Sequence, residues 1–142
     1  MNQNYQNHAR LVTGFHKVLG PLLLLGFIGS LFNLYKSFGN DTLYSASLIT
    51  LLFLSGIILF WYTRSFPLKA QDRAIRSEEN FRFYLLTGKA LPSDLSMGQI
   101  VALRFAPDEE LPTLVEKAVS EKLDSKSIKQ AIKNWKPDYY RV

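Results

Sequence analysis

The 142-residue sequence has no cysteine. That excludes a disulfide framework, a thiolate metal site and a cysteine nucleophile. Histidine is scarce too, and both copies, His8 and His16, lie near the start of the chain. Eight residues is close to two helical turns, but a zinc or haem site needs further donors converging on the pair, and no others stand beside it. Polar residues at a membrane entry are the plainer reading. No glycine-rich phosphate loop, Gly-x-Ser-x-Gly elbow or His-Glu-x-x-His occurs. Glu78-Glu79 and Asp108-Glu109-Glu110 are carboxylate clusters, but consecutive residues on a helix point different ways, and acid–base or metal work needs convergence in a cleft. No catalytic, cofactor-binding or metal site is expected, and the chain is not read as an enzyme.

A further absence organises the sequence. Val18 to Tyr35 and Leu43 to Tyr62 contain no Asp, Glu, Lys, Arg or His. As helices they measure roughly 27 and 30 Å, about the hydrocarbon thickness of a bilayer. The polar link Lys36 to Thr42 joins them. Gly39-Asn40 suits a turn, and Asp41 or Thr42 suits a helix cap. The expected fold is all-α: a transmembrane helical hairpin over 18–62, with helices at about 18–35 and 43–62. An N-terminal cytoplasmic segment, 1–17, precedes it, and a small cytoplasmic helical bundle of about four short helices, 63–142, follows.

The N-terminal segment and the first run have the outline of a signal peptide. No small-x-small site follows and a second run does, so no cleavage is expected. Pro21 fits a first helical turn, but should kink a helix that begins near Leu11.

Lys and Arg placement sets the orientation. Arg10 and Lys17 precede the first run, and Arg64, Lys69, Arg73 and Arg76 follow the second. The link carries Lys36 alone. Positive residues concentrate on the cytoplasmic side, so both termini are expected there. Tyr35, Tyr44, Trp61 and Tyr62 suit the two interfaces. The net charge is +5, and a mild, scattered excess of that size does not demand nucleic acid or anionic lipid.

Within the runs, Gly26, Ser30 and Asn33 fall on one helix face, level with Ser47 and Thr50 on the other. Small residues permit close helix approach, and an Asn amide in lipid seeks a partner. This face is expected either to pack the two helices together or to dock another membrane protein or a second copy. With no intramembrane charge, no ion or proton path is indicated.

Beyond Phe66-Pro67, residues 68–86 read as a charged helix with an apolar side, Ala70, Ala74, Phe81, Tyr84 and Leu85, which either lies along the inner leaflet or, the plainer reading, packs on the rest of the domain. Thr87-Gly88 stops it. Ser96 and Gln99 form a capping box, with Leu95 and Ile100 as its hydrophobic staple. That helix should end before Pro107. Asp108-Glu109-Glu110 places negative charge at the next helix start. Leu111, Leu114, Val115, Ala118, Val119 and Leu123 give its core stripe. Asp124 caps a last helix with the stripe Ile128, Ala131, Ile132 and Trp135, ended by Pro137.

Residues 112–135 also resemble a helix-turn-helix. Ala118, Leu123 and Ile128 have the spacing, and Lys126, Lys129 and Lys133 (with Lys136) are the candidate nucleic-acid contacts. Lys122 stands where a turn glycine is usual, and Glu116, Glu121 and Asp124 oppose a phosphate backbone. Nucleic acid is therefore the alternative and not the expected partner.

Three stretches carry a resemblance: Gln71-Asp-Arg-Ala-Ile-Arg-Ser-Glu-Glu-Asn-Phe-Arg82, Gln99-Ile-Val-Ala-Leu-Arg-Phe-Ala-Pro-Asp-Glu-Glu-Leu111 and Ile128-Lys-Gln-Ala-Ile-Lys-Asn-Trp-Lys-Pro-Asp138. With the double apolar run, they resemble a family of small uncharacterised bacterial membrane proteins, labelled only as a domain of unknown function. The resemblance implies a bacterial inner-membrane protein and supplies no activity, substrate or cofactor. The expected role is a non-enzymatic anchoring or assembly module, with membrane lipid and another membrane protein or a second copy as partners.

Overall fold

The computed structural model describes residues 3–7 and 11–139. His8 and Arg10, and Tyr140 and Arg141 of the tail, lie outside the described residues. The described residues are helical or irregular and include no strand. A π-helical turn, Thr13–Leu19, leads into α1, Gly20–Lys36; α2 spans Leu43–Thr87, α3 Met97–Leu103, α4 Leu111–Ser120 and α5 Ser125–Ala131. The chain forms two compact units, Arg10–Pro67 and a second comprising Met1–Ala9 with Leu68–Val142.

In the first unit, helical geometry begins ahead of Pro21. That proline has no N–H to offer the preceding turn. The turn widens to π, with the Gly20 N–H reaching back to the Phe15 carbonyl, and Pro21 falls in the opening turn of α1. The chain reverses through Gly39, at φ +80°, and the Ala46 N–H reaches the Thr42 carbonyl to open α2. The two apolar segments run alongside each other. Phe60 stacks on Phe15 with centroids 4.1 Å apart, and Thr50 Oγ1 donates to the Ser30 carbonyl at 3.2 Å. A Cβ at Gly26 would lie 2.1 Å from the Phe53 ring, so only glycine admits that ring. The helical stretch Thr13–Lys36 and α2 are each long and apolar enough to cross a membrane.

α2 does not end after Tyr62. It runs 45 residues with Pro67 inside it. A helix-interior proline removes one backbone bond and costs about 3 kcal/mol. Long helical stretches on either side hold the chain helical despite that cost, and the boundary between the two units falls at Pro67. α2 stops at Thr87, where Gly88 takes φ +71° and its N–H bonds the Tyr84 carbonyl.

The second unit packs on α2 through a different face from the expected one. Ile75, Glu79 and Phe83, one turn apart, are buried. Phe81, Tyr84 and Leu85 point the other way and are exposed by 63%, 55% and 68%. Ile75 and Phe83 join Leu95, Ile100, Leu103, Phe105, Leu111, Val115, Ala118 and Ile128 in one core. The expected caps are in place: Ser96 Oγ accepts the Gln99 N–H while Gln99 Oε1 accepts the Ser96 N–H, and Asp124 Oδ1 accepts the Ser127 N–H. Gln99 also donates to the Leu123 carbonyl, tying α3 to the α4–α5 turn.

α5 ends at Ala131, earlier than expected, and Ile132 is extended but still buried. The chain beyond is drawn onto other elements. Lys136 N–H donates to the Phe105 carbonyl at 2.8 Å, and the Trp135 ring packs on Phe105 with centroids 4.8 Å apart. Gln3 reads the backbone of Asp138, accepting its N–H at 2.7 Å. Phe105 is fully buried at the centre of this arrangement. Phe105→Ala should lower domain stability by about 3–5 kcal/mol, measured as loss of the folded tryptophan fluorescence signal in denaturant on the full chain in detergent.

Candidate functional site

The residues singled out on the apolar helices divide into two groups. Gly26, Ser30 and Thr50 are brought together where α1 meets α2: Ser30 is buried, Thr50 donates to it, and Gly26 seats Phe53. Asn33 and Ser47 are exposed. Ser47 returns its hydroxyl to the Tyr44 carbonyl at 2.6 Å. The contact face of α2 instead continues through Phe53, Gly56 and Phe60. Counting inward from the two helix ends puts Ser30 level with Thr50, and Thr50 Oγ1 donates to the Ser30 carbonyl. It could not show that bulky Phe53 and Phe60, set against glycines, are the residues at the contact.

In the Leu68–Val142 unit the polar chemistry centres on Arg82. Its guanidinium makes three contacts: Nε to Asp108 Oδ1 at 2.6 Å, Nη1 to Glu79 Oε2 at 3.0 Å and Nη2 to the Ala106 carbonyl at 2.7 Å. Nε and Nη2 thus clamp α2 to the turn after α3, while Nη1 pairs with Glu79 one turn away on α2 itself. Arg82 holds the Asp108 carboxyl below its ordinary range through this hydrogen bond. A second pair, Arg104 with Asp138 at 2.8 Å, ties α3's end to the C-terminal segment. Both arginine side chains are largely buried.

Glu110 has an unexpected task. It stands at the N-cap position of α4 but makes no side-chain cap there. Its carboxylate accepts the Lys133 and Asn134 N–H groups at 3.0 Å each, and the Asn134 amide at 2.9 Å. This is what bends the chain out of helix after α5. Burial raises the Glu110 pKa, and these donors outweigh it, leaving the group below its ordinary value. Arg82 had one sequence cue, its i,i+3 spacing from Glu79. The Glu110 contacts had none, since their partners lie 23 and 24 residues away.

The candidate nucleic-acid contacts are dispersed. Lys126 and Lys129 lie on the seven-residue α5, with Lys129 Nζ 5.9 Å from the Phe105 ring centroid. Lys133 lies past the helix end, its backbone held by Glu110. Lys122 does take the left-handed conformation of a turn residue, φ 51°. Among the described residues no cluster of three or more His, Asp or Glu could hold a metal ion.

Protonation reports on the Glu110 cradle. A carboxyl with a lowered folded pKa stabilises the fold above its unfolded value, near 4.5, and loses that contribution as pH falls through the folded pKa. Glu110→Gln should cost about 1 kcal/mol at neutral pH. It should also flatten, without abolishing, the fall of melting temperature below about pH 4.5, because Asp108 and Asp124 are shifted in the same direction. Thermal melts of wild type and variant across that range check it.

No curated protein and no solved structure matches the chain. One family model does, over residues 1–142, and it describes a family whose function is unknown.

Proposed function

The chain belongs to the family of unknown function DUF6526, and we propose that it is a non-enzymatic inner-membrane module, multi-pass, that holds a small helical domain at the cytoplasmic face for assembly with a partner. The observation that carries this is the unburied apolar surface of α1 and the first part of α2. Leu22, Leu25, Phe32, Leu52, Leu59 and Trp61 are each at least 60% exposed. A patch that large is costly in water and costs nothing in hydrocarbon. The absence of charged residues from Val18 to Tyr35 and from Leu43 to Tyr62 agrees with that solvent.

Two features support the same side for both ends. Residues 1–9 belong to the same compact unit as residues 68–142, with Gln3 bonded to Asp138. A chain that leaves a domain, crosses a membrane twice and re-enters that domain has both crossings opening on one side. Lys17, Arg64, Lys69, Arg73 and Arg76 against Lys36 make that side the cytoplasm. A reporter active only in the cytoplasm, fused after Val142, should be active. One placed in the 37–42 link should be silent, and the reverse pattern overturns the topology.

The assembly role is supported by Phe81, Tyr84 and Leu85, which form an exposed apolar strip on the side of α2 away from the domain core. The α5 lysines do not enter the proposal, because Glu110, Glu121 and Asp124 stand among them and Lys133 is off the helix. In gentle detergent the full chain should purify as a homo-oligomer or with a stoichiometric partner, and Phe81→Asp with Leu85→Asp should release it. A monomer with no partner in the wild type would argue against assembly while leaving the membrane reading intact.

A further inference from the structure

The Leu68–Val142 unit contains an open cavity of about 350 Å³ between α2 and the segment that leads into α3. One wall is polar and comes from α2: Arg73, Arg76, Ser77 and Asn80. The facing wall is mostly apolar, with Leu91, Pro92, Leu95 and Ile100 beside Ser93. Among the described residues no Asp or Glu lines it.

The polar wall offers donors. Asn80 uses its Oδ1 to accept the Leu91 N–H at 2.8 Å, which leaves its NH2 group as the end available to a ligand. That bond also fixes the loop across the cavity mouth from α2. The Ser77 hydroxyl and the guanidiniums of Arg73 and Arg76 have no hydrogen-bond or ion-pair partner among the described residues. The contrast with Arg82 and Arg104 is informative, since those two are consumed by Glu79, Asp108 and Asp138. Arg73, Ser77 and Asn80 stand at i, i+4 and i+7, so the three share a helix face, and Arg76 is one turn before Asn80. Two guanidiniums with neutral donors between them suit a tetrahedral oxyanion, which accepts forked and single hydrogen bonds together.

We propose that this cavity binds a phosphate group, held by Arg73 and Arg76 and hydrogen-bonded by Ser77 and Asn80, with the apolar wall taking the organic part of a phosphate ester. The phosphate could be free in solution or belong to an anionic phospholipid headgroup. Arg73 and Arg76 follow shortly after the apolar segment ends, where cations meet anionic headgroups. The lipid source rests on the membrane reading above; the free phosphate does not.

The test uses full-length protein in uncharged detergent at low salt. It is titrated by calorimetry with inorganic phosphate, with a short-chain phosphatidylglycerol, and with a phosphatidylcholine of the same chain length. Saturable binding of inorganic phosphate identifies the free anion. Binding of phosphatidylglycerol without inorganic phosphate or phosphatidylcholine identifies the headgroup. In either case Arg73→Gln with Arg76→Gln should weaken binding by at least about tenfold. Lys126→Gln with Lys133→Gln, which removes the same charge from the same domain, should leave it within about twofold. Both arginines are exposed, so the melting temperature should not move. Absence of binding by both anions, or an equal loss in the two double variants, would overturn the site. Failure of the lipid arm alone, with phosphate still bound, would leave the site standing and remove its link to the membrane.

Discussion

The Arg82 clamp is the constraint on which the small domain depends. The core around Phe105 is thin, and α3, α4 and α5 are seven, ten and seven residues long. Helices that short are marginal by themselves in water. They persist because α3 and α5 are capped by Ser96 and Asp124 and because all three are held to a longer support. That support is the Leu68–Thr87 part of α2, joined by Arg82 to the Ala106 carbonyl and Asp108. The clamp is also demanding. Glu79 is buried, and without Arg82 its charge would sit in a low-dielectric site with no counter-ion. Ile75 and Phe83 enter the core on the same face of α2 as Glu79, so the apolar and ionic contacts of α2 are made side by side.

The apolar unit obeys different rules. On the membrane reading proposed above there is no hydrophobic force between the helices, and contact comes from close fit. Glycines opposite large rings provide it here: Gly26 receives Phe53, and Gly20 lies 3.4 Å, measured from a virtual Cβ, from Phe60. Polar side chains that remain, Ser47, Ser55 and Thr63, turn their hydroxyls back to their own helix's carbonyls. That satisfies them without water. Apart from Asn33, the outward side chains of the two apolar segments are then mostly apolar.

Local grammar was legible throughout. The capping box at Ser96 and Gln99, the Asp124 cap, the Gly88 stop and the Leu111–Ala118 stripe all follow from interactions within a few residues, and all are present. The face by which α2 meets its domain was not legible. Phe81, Tyr84 and Leu85 make a more apolar stripe than Ile75, Glu79 and Phe83, yet the second set is inside. A buried carboxylate looks like a surface residue until its arginine and the backbone carbonyl beside it are known. The α5 boundary failed for a related reason. Ile132 and Trp135 continue a helical stripe and are used in the core, but from an extended chain.

What the sequence determined by itself is therefore where the apolar segments lie, that the protein is helical, and where most helices begin. These are consequences of composition and of contacts spanning three or four residues. Tertiary structure decided the rest: that α2 continues past Pro67, which side of it is buried, and where α5 stops. In the last two cases the deciding groups are far apart in the chain, Arg82 from Asp108 by 26 residues and Glu110 from Asn134 by 24. A charged side chain carries no mark of its partner at that range, because the attraction that selects it exists only once the chain has folded around both.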